Sequence, residues 1–127
     1  MPYDFDIKPG YVQLRLHGQV TAADLMGIVG RLQQVEAQAG PLPDRLVDFT
    51  AIEGTQVTFA EMDQVTAKRR AAKLKNRVKL AVVAGTPYQV GFARMFQTLN
   101  DNPQIETQIF PNEAAAVEWL RAKQEPA

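Results

Sequence analysis

The stretch VKLAVVAGTPYQ, residues 78–89, decides the fold. From Val78 to Ala84 every residue except Lys79 is apolar. A run this short and this continuous predicts a central strand covered on both faces, as strands of a parallel sheet are. Thr86-Pro87-Tyr88-Gln89 then reads as a capping box: Thr caps, Pro occupies the first helical turn, and Gln closes it. Tyr88, Phe92, Met95, Phe96 and Leu99 continue on one helical face, and Gly91 on its flank is expected to allow close packing on the sheet. A buried strand feeding a capped helix is the unit from which α/β sheets are built.

Working outward from that unit, the same grammar recurs. Toward the N-terminus, Arg45 to Phe49 predicts a short strand. A loop with three threonines follows, and Thr58-x-x-Glu61 opens a helix whose apolar stripe is Phe59, Met62, Val65 and Ala72. Earlier still, Thr21-x-x-Asp24 starts a helix carrying Leu25, Ile28, Val29, Leu32 and Val35, which Gly40-Pro41-Leu42-Pro43 stops. Tyr3, Phe5 and Ile7 alternate with acids, and Val12, Leu14 and Leu16 alternate with Gln13, Arg15 and His17. Pro9-Gly10 between them predicts an antiparallel hairpin. Toward the C-terminus, Ile105 to Phe110 predicts a strand, and Asn112 caps a last helix with Val117 and Leu120 inward. The order β-β-α-β-α-β-α-β-α predicts right-handed crossovers and a mostly parallel mixed sheet of about five strands with four helices. A length of 127 residues matches one domain over 1–123, with a frayed tail at 124–127.

Composition removes several function classes. Lys+Arg and Asp+Glu number 14 each, so no net charge draws the chain to nucleic acid. There is no Cys, which excludes disulfides, thiolate metal sites and cysteine nucleophiles. His17 is the only histidine and falls on the polar side of its strand. No serine occurs, so a hydroxyl nucleophile would have to be Thr or Tyr. Asp48, Glu53, Glu61 and Asp63 cluster in sequence, but a cap and a turn former account for two of them, and no metal is expected. No acid–base pair can be assembled, so no enzyme activity and no cofactor are expected. The start MPYDFDIKPG lacks the basic-then-apolar pattern of a signal peptide, and the expected location is the cytoplasm.

Two features invite a functional reading. In open α/β sheets ligands sit beyond the carboxyl ends of the strands, here Asp48-Phe49-Thr50, Ala84-Gly85-Thr86 and Phe110-Pro111-Asn112. Helix N-termini gather along that rim and suit an anionic group. The second feature is KRRAAKLKNRVK, residues 68–79, with seven basic residues and no acid. Lys68, Arg69, Arg70, Lys73 and Lys75 could form a peripheral membrane contact. The plainer account is helix-end dipole compensation, with Arg77 and Lys79 flanking a buried strand as gatekeepers. No aromatic side chain interleaves the basic ones, so nucleic acid is not expected as a partner.

The hairpin, Gly18-Gln19-Val20-Thr21 into the first helix, LVDFTAI (46–52), VKLAVVAGTPYQVGFARMFQTL (78–99) and IFPNEAAAVEWL (109–120) together resemble the SpoIIAA-like (STAS-like) family. These are small bacterial proteins with the fold of anti-sigma factor antagonists. The resemblance covers nearly the whole chain, and GFARMFQTL is its most marked stretch. In sporulation members a phosphorylated serine at the helix start after the third strand is read by a kinase–anti-sigma partner. The matching region here is Glu53 to Thr58. The family's Asp-Ser-Ser-Gly is absent, leaving Thr55 or Thr58 as the phosphorylation stand-in. The fold is also similar to lipid-binding CRAL-TRIO domains.

Two functions are therefore expected. The first is a non-catalytic binding module for a small amphipathic, lipid-like ligand. Its tail would lie between the sheet and the helices bearing Phe59 and Tyr88 to Phe96, Phe92 included. Its charged head would sit near Thr55, Thr58 and Thr86, with Arg94 as a pairing cation. The alternative is a regulator that binds a protein partner through the 53–58 loop.

Overall fold

A computed structural model describes residues 3–122, residue 39 excepted. The elements follow in the order β1 (Tyr3–Lys8), β2 (Tyr11–Thr21), α1 (Ala22–Glu36), β3 (Asp44–Gln56), α2 (Phe59–Ala71), β4 (Val78–Val83), α3 (Pro87–Leu99), β5 (Ile105–Phe110) and α4 (Glu113–Arg121). The expected α/β architecture is present: an N-terminal hairpin, then alternating strands and helices. The 124–127 tail lies outside the described residues.

Sheet order is the order of the chain, β1-β2-β3-β4-β5. Only β1 is antiparallel, Tyr3 facing Leu16 and Lys8 facing Tyr11 across the Pro9-Gly10 turn. Gly10 takes φ 87°, the left-handed conformation that such a turn requires. The other strands pair in parallel. α1, α2 and α3 pack side by side on one face, while α4 covers the other, against β3, β4 and β5. The core is accordingly divided. The larger part, around Leu14, Leu16, Val47, Phe49, Val82 and Phe92, lies under α1–α3. A smaller part, Tyr11, Leu46, Ala81, Val83, Ala116 and Leu120, lies under α4. All six residues of β4 are buried, as its continuous apolar run implies.

Several expectations are corrected. The strand expected at Arg45–Phe49 runs on to Gln56. Ala51, Ile52, Gly54, Thr55 and Gln56 pair with His17, Gly18, Gln19, Val20 and Thr21, so most of the threonine-rich loop is strand. Two register shifts, one on each side of Gly18 at φ 70°, each set one extra β3 residue against β2 and let the pair bend and stay hydrogen-bonded. Ile7 is exposed on the edge strand rather than half-buried. Phe59 is the first residue of α2 and 64% exposed, so it leaves the apolar stripe, and Ala72 lies past the helix end; the buried face is Met62, Val65, Thr66 and Arg69. α1 stops at Glu36, before the Gly-Pro signal. Gly91 faces solvent, and a Cβ there would touch nothing. Lys79 is buried rather than a gatekeeper: its Nζ donates to the carbonyls of Trp119 (3.0 Å) and Ala122 (3.2 Å) at the end of α4.

Candidate functional site

Alternation along β3 puts Arg45, Val47 and Phe49 on the face under α1–α3. Phe49 anchors that layer, its ring 5.3 Å from Phe92 and 6.4 Å from Phe96. Arg45 enters the same layer from the N-terminal end of the strand and is only 2% exposed. The helices running back from the far rim deliver its neighbours: Glu36 at the last turn of α1 and Arg69 near the end of α2. Arg69 grips Glu36 in a two-pronged pair, Nη1 to Oε1 at 3.0 Å and Nη2 to Oε2. Arg45 Nη2 lies 2.8 Å from Glu36 Oε2, an ion pair with the same carboxylate.

Two guanidinium groups thus share one carboxylate in a largely dry setting. For Glu36, burial raises the carboxyl pKa. The Arg69 hydrogen bond and the charges of Arg45 and Arg69 together outweigh it and hold the group below its ordinary 4.5. For Arg45, burial is the largest influence and lowers the guanidinium from its usual value; Glu36 and, less strongly, Asp44 draw it up, and Arg69 pushes it down. Asp44 is occupied elsewhere, accepting from the Lys79 amide at 2.7 Å.

Beside this cluster lies a cavity of about 50 Å³ between the sheet and α1–α3. Leu16, Ile28, Val29, Val47, Met62, Val65, Phe92 and Phe96 supply most of its wall. Arg45, Arg69, Thr66 and Asn100 are its polar members. Thr66 is satisfied, donating to the Met62 carbonyl at 2.8 Å. Arg45 Nε and Asn100 Oδ1 are buried without a hydrogen-bond partner. Orphaned polar atoms of this kind are rare in native interiors and call for a reason. A wider hollow of about 390 Å³ beside β1, lined by Phe5, Arg31, Pro41 and others, has none.

The expected rim residues lie at the opposite end of the sheet. Thr58 and Glu61 form a complete capping box, as do Thr86 and Gln89. Gln89 also donates to the carbonyls of Thr50 (3.1 Å) and Ile52 (3.2 Å), tying α3 to β3. Thr55 donates its amide to the Tyr88 hydroxyl at 2.9 Å and shares a 2.6 Å hydroxyl contact with it. The rim amides are therefore already engaged by the chain's own side chains. Tyr88 and Arg94 are exposed, and of the expected residues Phe92 and Phe96 reach the cavity. What sequence inspection missed was Glu36, Arg45, Arg69 and Asn100. One signal was available: Arg45 alternates inward with Val47 and Phe49, and Arg69 falls one helical turn beyond Val65.

The basic stretch does not form one surface. Arg69 is buried, Arg70 pairs with Asp63 at 2.9 Å and donates to the Leu99 carbonyl, and Lys75 donates to the Gln38 carbonyl. Lys68 and Lys73 are exposed. Among the described residues no three His, Asp or Glu side chains gather as a metal site, and no helix is long and apolar enough to cross a membrane.

No family profile and no curated protein matches the chain. Among solved structures, a protein of Shewanella loihica PV-4, described as an uncharacterized protein from the DUF3478 family with a SpoIIAA-like fold, superposes with a TM-score of 0.62. Identity is 17%, over 93% of this chain and 91% of that one. The fold is thus shared across most of both molecules, and this chain, with its five-stranded mixed sheet in chain order, has a SpoIIAA-like fold.

Proposed function

We propose that the chain is a non-catalytic binding module whose ligand occupies the cavity between the sheet and α1–α3. The observation that carries this reading is an apolar hollow with unpartnered buried polar atoms on its wall. A core evolved only to be filled would close such a gap, because lost packing and unmet hydrogen bonds each cost stability. The volume also limits the occupant. A cavity of about 150 Å³ admits benzene, and this one has about a third of that. A long lipid tail does not fit, so the lipid-like ligand contracts to a small amphipathic molecule of a few heavy atoms. Native mass spectrometry of freshly purified protein tests the idea. Extra mass that disappears on denaturation is expected. If the masses agree, and no short aliphatic molecule shifts the thermal midpoint, the reading fails.

A second reading, a regulator with a protein partner, draws on the Thr55–Tyr88 contact. A phosphate on Thr55 would expel the Tyr88 hydroxyl and disturb the start of α3. It requires a phosphate-sized increment on Thr55 or Thr58 that survives denaturation, and Thr55→Glu and Thr55→Ala proteins that differ in partner binding. An unmodified 47–62 peptide from the native source would remove it.

A further inference from the structure

Within that binding-module reading, on which this inference rests, we infer that the Arg45–Asn100 end of the cavity is a site for a neutral hydroxyl group, carried by a short-chain alcohol of ethanol's size or less. The hydroxyl oxygen would accept from Arg45 Nε, its hydrogen would go to Asn100 Oδ1, and the carbons would lie against the apolar wall.

The chain's own ties bring the two residues to one end. Arg45 lies at the start of β3 and is paired to Glu36, which Arg69 of α2 also grips. Asn100 closes α3, and the end of α3 is tied to the end of α2: Arg70 donates to the Leu99 carbonyl at 2.8 Å, and Asn102 Nδ2 donates to the Arg69 carbonyl at 2.7 Å. Both side chains line the cavity, Arg45 2% exposed and Asn100 4%. Charge at this end is already balanced. Glu36 faces Arg45 and Arg69, and Asp44 adds a second negative charge felt by Arg45. A charged head group would upset that balance in a dry setting, where an unpaired charge is strongly unfavourable. What stays unmet is one donor, Arg45 Nε, and one acceptor, Asn100 Oδ1. A hydroxyl is the smallest group that answers both, because its oxygen accepts while its hydrogen donates. A carbonyl, an ether or a carboxylate brings no hydrogen and would leave Asn100 Oδ1 orphaned. Size agrees: about 50 Å³, against about 150 Å³ for a cavity that takes benzene, leaves room for roughly two or three heavy atoms.

NMR of the isotope-labelled chain, titrated separately with ethanol, sodium acetate and xenon, tests the site. Ethanol is expected to shift the Arg45 Nε–H and Asn100 side-chain amide signals saturably, and acetate at equal concentration to leave them in place. Asn100→Leu removes an acceptor that has no partner in the chain. It should weaken ethanol about fivefold, the worth of one neutral hydrogen bond, and leave xenon, which makes no hydrogen bond, unaffected. If Asn100→Leu folds poorly, the contrast between ethanol and acetate on the wild-type chain decides alone. Acetate acting as strongly as ethanol overturns the neutral site. Xenon binding without any response to ethanol overturns the hydroxyl site while leaving the cavity reading intact. A trapped water has the same hydroxyl chemistry, and a cross-peak between bound water and the Arg45 Nε–H that ethanol does not displace assigns the hydroxyl to water and overturns the alcohol. No response to any probe overturns both readings.

Discussion

Glu36 is the single carboxylate between Arg45 and Arg69, so its loss leaves two buried guanidinium groups facing each other. Glu36→Gln should destabilise the chain by about 3 kcal/mol, as removal of one member of a buried pair does, measured by urea unfolding. The same residue sets an acid limit. Its folded pKa lies below the ordinary 4.5, so its contribution is complete above that value and is lost as pH falls through the lower folded one. Wild-type stability should therefore drop with acidification in this window. Glu36→Gln should show a shallower drop, and equal slopes would remove Glu36 from the account. Tyr88→Phe is a milder case. It removes both contacts to Thr55 at an exposed site and should cost about 1 kcal/mol or less.

Helix α2 is held differently from its neighbours. Its inward face mixes Met62 and Val65 with Thr66 and Arg69, so it buries less apolar surface than α3, and a capping box fixes its start. Thr58→Ala should cost about 1 kcal/mol. Its amides should exchange with deuterium faster than those of the fully buried β4, since local opening follows apolar burial. Equal protection of the two would show that α2 opens only with the whole fold. Elements of this kind also show which signals the sequence carried plainly. Capping boxes at Thr21, Thr58 and Thr86 and the run at 78–84 were legible, because each is a local arrangement with a local cause. The second half of β3 was not. Its pairing with β2, more than thirty residues away, runs through two register shifts that place extra residues in β3, and its side chains do not alternate. The site was hidden for a related reason: Arg69 looked like one charge in a basic run, and only the meeting of α1, α2 and β3 gives it a buried partner.

Three helices on one face and one on the other leave the sheet unequally covered, and the cavity lies on the thicker side. Enlarging a wall residue should therefore act on binding and stability in opposite directions. Val65→Leu is expected to raise the unfolding free energy of the ligand-free chain by about 0.5–1 kcal/mol, as cavity filling does, and to weaken binding of any small molecule in the cavity. A destabilised variant would mean that the wall is already tightly packed. The strand order has a bearing on synthesis. Because β1 to β5 lie in the order in which they are made, every new strand meets a neighbour that has already emerged. No strand must wait, edge unpaired, for a later insertion between two others, which lowers the time that sticky edges stay open to other chains. The charge cluster fits the same timetable: Glu36 emerges first, Arg45 next and Arg69 last, so the carboxylate is always present before the guanidinium groups it must receive.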